Sequence, residues 1–210
     1  MKKSFIALSM ALSIAPLSIA TLLSSGCGST ATRIDPTGNQ GLTTAHDINF
    51  KDWQMAAEKG INSLLESGVL NRNDGRKTVV MVSIVKNSTL QHVDTNILTD
   101  KIRQAILRSG KAVTTTAVAG GGAEDNATKQ VRTLQNDPMF DQRTVKENGT
   151  VIAPDMSLAG EIIQQKTVSG RDEESYFFIH MTMTDLKTGL ALWEDNVEIA
   201  KQATRPAFGW

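Results

Sequence analysis

Three histidines, a run of three carboxylates, a glycine triplet and one cysteine are the residues of this 210-residue chain whose types could do chemistry. His46, His92 and His180 lie far apart, and none falls in a His-Glu-x-x-His or comparable ligand spacing. His180 takes the polar side of an alternating stretch, where it reads as hydrogen-bonded or solvated. No Gly-x-Ser-x-Gly elbow is present to expose a nucleophile. Asp172, Glu173 and Glu174 are adjacent in what reads as a loop, which solvates them rather than holding an acid–base pair at fixed separation. Gly120-Gly121-Gly122 lacks the Lys-Ser/Thr that completes a phosphate cradle. Spacing alone does not see groups that converge in the fold. On this reading there are no catalytic, cofactor-binding or metal-binding residues, and the chain is not an enzyme. Glu124-Asp125-Asn126-Ala127-Thr128 fits the extended acceptor pattern of some bacterial N-glycosylation systems, a match that chance also explains.

That leaves Cys27. Lys2 and Lys3 form a positive n-region, and Phe5 to Leu23 is an apolar stretch interrupted at Pro16. The run is too short and broken for a membrane span. It ends in Leu22-Leu23-Ser24-Ser25-Gly26-Cys27, which resembles a bacterial lipoprotein signal, with Ser24 where the usual motif has leucine. Cutting before Cys27 would expose its amine and free its sulfur to carry a diacylglyceryl group. An ordinary signal peptide with an incidental cysteine is the plainer alternative. A lone cysteine at this one position favours lipid attachment. Residue 28 is Gly rather than the Asp that retains such proteins at the inner membrane, so the expected location is the outer membrane, facing the periplasm.

The elements behind these residues divide the chain into a signal peptide (1–26), a lipidated flexible tether (27–46), a globular domain (47–205) and a C-terminal tail (206–210). Without Lys2 and Lys3 the basic residues number 20 against 22 acidic, so the mature net charge is about −2. No basic stripe is present, which argues against nucleic acid as a partner. Residues 28–44 are rich in Gly, Ser and Thr, and about 20 such residues reach at most roughly 70 Å. A helix is predicted over 50–67, capped by Asp47 or Asn49, with Trp53, Ala57, Ile61, Leu64 and Leu65 on one face. Thr78 to Val85 reads as a central strand, and Lys86 to Thr89 as a polar loop. A second helix is predicted over 95–108, capped by Asp94. Leu98, Ile102, Ala105 and Ile106 face in; Lys101, Arg103 and Arg108 face out. A strand over 111–118, a polar helix over 124–135 and a better one from Asp137-Pro138 to Gly149 follow. Three strands close the domain: Met156 to Val168, Tyr176 to Asp185 and Leu190 to Ile199. Phe177, Ile179, Met181 and Met183 share one face of the second; Tyr176, His180, Thr182 and Thr184 share the other. The fold class is α/β (α+β): one small mixed, partly antiparallel sheet of four to five strands flanked by helices.

In order along the chain stand Val79-Val80-Met81-Val82, Lys86-Asn87-Ser88-Thr89, Asp94, Leu107 to Lys111, Ala153-Pro154-Asp155 before a strand with Gly160, and Asp185 to Glu194. Together, over about residues 47 to 202, they resemble the penicillin-binding-protein activator LpoB family. The resemblance implies an outer-membrane lipoprotein that stimulates a bifunctional peptidoglycan synthase and so regulates cell-wall synthesis. It also implies a fold related to CsgG and the TolB N-terminal domain, with a penicillin-binding protein as partner and no catalytic residues or cofactor. The tether is shorter than the long disordered ones such activators use. That keeps a second reading open: an outer-membrane assembly or secretion accessory of the curli-secretion kind.

Intact-mass measurement of the mature protein is expected to show a chain beginning at a diacylglyceryl-modified Cys27. Cys27→Ala is expected to leave the protein unprocessed or soluble. A mature chain with a free thiol and a different first residue contradicts the assignment.

Overall fold

The computed structural model describes residues 31–36, 44, 47–118, 120 and 124–205. The chain divides after Arg33. Met1–Arg33 contributes only residues 31–33, none in regular structure, and every helix and strand among the described residues belongs to Ile34–Trp210. Cys27, His46, most of the tether and the tail 206–210 lie outside the described residues.

Helix α1 spans Phe50–Glu66. Of the two candidate caps, Asn49 is the one used. Its side chain accepts from the Lys51 and Asp52 amides, while Asp52 Oδ2 accepts from the Asn49 amide at 2.7 Å. This reciprocal box satisfies three amide donors at the helix end. Trp53, Ala56, Ala57, Gly60, Ile61 and Leu64 are buried; Leu65 is only half-buried.

Strand β1 (Thr78–Ser88) runs three residues past its predicted end. Lys86, Asn87 and Ser88 are polar, yet they pair with Glu161, Ile162 and Ile163 of the next strand. Thr78, Val79 and Val80 are buried in succession, as a doubly covered strand requires, but Ile84 is 59% exposed beside a register shift between Val82 and Val85.

Helix α2 is Asn96–Ser109, and Gly110 ends it at φ 68°. Its cap is Thr95, without a side-chain bond; Asp94 accepts from the Asn96 amide at 3.0 Å. Leu98, Ile102 and Ile106 are buried as expected. Arg103 is not on the outer face: it is only 7% exposed, because its position adjoins the buried stripe through Thr99 and Ile106. Strand β2 is only Ala112–Thr114, since the Thr115 amide donates to the Val80 carbonyl and the chain leaves.

The excursion to Asp155 holds a single short helix among its described residues, α3 (Ala127–Gln130), and a 3-10 turn at Val131–Leu134. The helix expected over 137–149 does not form. Asp137 and Asp141 carboxylates accept from amides two residues on, and Gln142 Nε2 donates to the Leu134, Asp137 and Phe140 carbonyls. Such side-chain bonds compete with the helical ladder.

Strands β3 (Met156–Ser169), β4 (Asp172–Asp185) and β5 (Ala191–Thr204) form an antiparallel meander. Gly170 and Arg171 make the first turn, so Asp172, Glu173 and Glu174 lie in β4 rather than in a loop. Gly189 takes φ 74° in the second turn. The five strands are ordered β2-β1-β3-β4-β5, with β1 parallel to both neighbours.

One core joins both helices to one face of this sheet. Trp53, Ile61 and Leu64 of α1 and Leu98, Ile102 and Ile106 of α2 share it with Phe177, Ile179, Met181 and Met183 of β4 and Val197 and Ile199 of β5. The four-residue row expected on β4 is fully inside. Half-buried Trp193 extends it, with Nε1 3.3 Å from Ser63 Oγ.

Phe177→Ala is expected to cost about 3–5 kcal/mol, since the ring is wholly buried. Thr182→Ala, on the opposite face, is expected to cost about 1 kcal/mol. Chemical denaturation of the two variants checks the difference; equal midpoints contradict the face assignment.

Candidate interaction surfaces

Among the described residues no three His, Cys, Asp or Glu side chains gather where they could hold a metal ion. No helix among them is long and apolar enough to cross a membrane. His92 is exposed in the β1–α2 loop, and Asn126 is exposed just before α3. Neither joins another candidate residue. What the fold displays is two solvated surfaces and a set of ionic junctions that hold them in place.

The first surface is the sheet face opposite the helices. The register aligns Glu161 with His180 and Asn196, and Ile163 with Phe178 and Glu198. His180 is hydrogen-bonded at both ring nitrogens: Nδ1 lies 2.8 Å from Asn196 Oδ1 and Nε2 lies 2.9 Å from Thr182 Oγ1. The Glu194 carboxylate stands 3.6 Å from Nε2, and Phe178 lies parallel to the imidazole with centroids 6.4 Å apart. Glu161 accepts from Lys86 Nζ at 2.8 Å and Ser88 Oγ at 2.5 Å. These bonds hold its carboxyl below the usual carboxylate range. Partial burial, then Glu198, pushes the Tyr176 phenol above its usual range. Half-buried aromatics such as Phe178 and Tyr176 are side chains enriched at protein contacts.

The second surface is a groove of about 470 Å³ between α1 and α2. The helices run the same way. At their starts the Ile48 amide meets Gln91 Oε1, and at their ends Lys111 Nζ donates to the Leu65 carbonyl at 2.8 Å. Ala57, Ile61, Leu65 and Ala105 line it together with Glu58 on one side and Lys101 and Arg108 on the other.

Two junctions escape a reading of the sequence alone. Asp155 Oδ2 accepts from the Val79 amide at 2.9 Å and Oδ1 lies 3.0 Å from Arg72. Its own amide and carbonyl bond Val79 and Leu186, so one residue ties β1, β3 and the β4–β5 turn. Arg72 also grips Asp74, holding that carboxyl far below the carboxylate range. An acidic residue after a proline at the start of a strand is the available signal. The other is Glu173. Only 2% exposed, it pairs with Lys166 and with Arg205 at 2.7 Å. The expectation of a solvated carboxylate run therefore fails at Glu173, whose place on the inner row of β4 puts it in line with Ser175 and Phe177.

A five-stranded mixed sheet with α1 and α2 packed on one face defines a small α/β domain. Residues 52–199 match the family described as peptidoglycan-synthase activator LpoB, and the chain belongs to that family. Solved structures similar to it include the LpoB C-terminal domains of Salmonella enterica and Escherichia coli. Each is 15% identical and covers 70% of this chain and 98% of its own, with TM-scores of 0.41 and 0.39. The NMR structure of E. coli LpoB is 12% identical, covers 96% of this chain and 94% of its own, and gives a TM-score of 0.37. No curated protein matches the chain.

Glu161 generates a pH prediction. A carboxyl whose folded pKa lies below its unfolded value adds stability that is complete above the unfolded pKa and is lost as pH falls through the folded one. Thermal melts from neutral pH down through and below the carboxylate range, about pH 4, are expected to show Glu161→Gln less stable at neutral pH. The gap to the parent is expected to close on acidification. A gap constant with pH contradicts the charge-assisted role.

Proposed function

We propose that this protein is a lipid-anchored outer-membrane activator that binds a bifunctional peptidoglycan synthase and acts by contact rather than by catalysis. The family match over residues 52–199 carries the reading. The signal ending at Cys27 supports the anchor, and the half-buried aromatic and charged face of β3, β4 and β5 offers a contact surface of suitable character. The tether sets a constraint. About 20 flexible residues span roughly 25 Å on average, so effective concentration at a distant inner-membrane partner is low.

The mature chain without its lipid, residues 28–210, is expected to bind a penicillin-binding protein and raise its polymerising rate in solution, where the tether imposes no limit. In cells, inserting about 30 Gly/Ser residues after Thr32 is expected to maintain or increase crosslinking to the synthase. Deleting residues 34–43 is expected to abolish it. An unchanged rate, no complex, and capture instead of an outer-membrane assembly complex would replace this reading with the accessory role.

A further inference from the structure

The α1–α2 groove carries an inference beyond activation. Ala57, Ile61 and Leu65 recur every four residues on α1, and Gln54, Glu58 and Asn62 recur beside them. The first set is the floor of the groove and the second is one rim. On α2, Lys101, Gln104 and Arg108 form the other rim, with Ala105 between the two cations. Lys101 and Arg108 are seven residues apart, about 10.5 Å along the axis. Neither is committed to an ion pair with another described residue. Glu58 accepts from Gln54 Nε2 at 3.1 Å, and among the described residues no cation pairs with it. The groove thus offers two cations on one wall, a carboxylate on the other and a floor of small apolar groups. Its 470 Å³ is within the range of small-ligand sites, about 300–1,000 Å³.

We propose that this groove binds a short peptide bearing at least two carboxylates and an ammonium group, chemistry that a peptidoglycan stem peptide presents. The choice of a stem rests on the activator reading, which brings the domain to the cell wall; the charge pattern stands without it. Carboxylates meet Lys101 and Arg108, the ammonium meets Glu58, and methyl-sized side chains suit the floor at Ala57 and Ala105. A nucleic-acid backbone does not fit, because Glu58 opposes a chain of phosphates. An apolar helix does not fit either, because both rims are hydrophilic.

The probe is synthetic N-acetyl-L-alanyl-γ-D-glutamyl-meso-diaminopimelate, whose single ammonium is on the diaminopimelate, titrated calorimetrically and by amide NMR into residues 28–210. Saturable binding is expected, with shifts clustered at Ala57, Ile61, Leu65 and Ala105. A fully amidated analogue is expected not to bind. The double variant K101E/R108E is expected to bind about tenfold more weakly or less. Ala105→Gln, which fills the groove without changing charge, supplies an independent loss should the double variant fail to fold. No saturation in the millimolar range, shifts elsewhere, affinity indifferent to both variants, or occupation of the groove by a second copy of the chain would overturn the proposal. Synthase stimulation measured on the same samples separates the two readings. Stimulation without peptide binding removes the groove assignment alone, and loss of both removes the activator as well.

Discussion

The packing of α1 against β4, where Gly60 meets Met181, is the interaction on which the rest of the domain depends. A methyl group there would lie 2.1 Å from Met181 Cε and 3.0 Å from its sulfur. The missing side chain leaves room for the end of Met181, and Trp53, Ala56, Ala57 and Leu64 share one core with the row from Phe177 to Met183. Nearby, a methyl at Gly160 would stand 2.6 Å from the His180 carbonyl. The two glycines admit close contacts at the centre of the fold, one with a core side chain and one with the backbone of the neighbouring strand. Close contact of this kind is what the density of protein interiors requires.

The same geometry separates the sheet into faces with different chemistry. The inner row of β4 begins ionic and ends apolar: Glu173 and Ser175 precede Phe177, Ile179, Met181 and Met183. Lys201, paired with Ser175 on β5, reaches Asp52 and the Asp47 carbonyl at the start of α1. The ionic end therefore orients the helix whose apolar side the other end holds. The outer face has no such gradient, and its charged pairs remain half in water.

Much of this is legible in the sequence where one periodicity dominates. The alternation in β4 and the four-residue stripe of α1 are both strong because a single face is buried. The misreadings come where residue type and position conflict. Arg103 is charged but occupies an inward position, and a long stem can be buried there. Lys86 to Ser88 look like a loop, yet β3 continues beside them and supplies a partner for the ladder. Residues 137–149 have proline and glycine where a helix would begin and end, but Asp137, Asp141 and Gln142 divert the local hydrogen bonds. Asp155 is visible as part of a turn, while its role depends on Arg72 and Val79, some 80 residues earlier. The local Pro-Asp signal marks the residue, but nothing local marks its partners.

The order of strands also sets the lengths of the loops that pairing must close. β3, β4 and β5 are joined by tight turns, whereas β1 meets β3 through partners such as Val80 and Met156, across the whole excursion. Contacts between near neighbours in the chain form at lower entropic cost than those closing a long loop. The C-terminal meander is therefore the part of the sheet whose pairing closes the shortest loops. The apolar faces of α1, β1 and α2, all nearer the N-terminus, pack against a row of side chains that the C-terminal meander supplies.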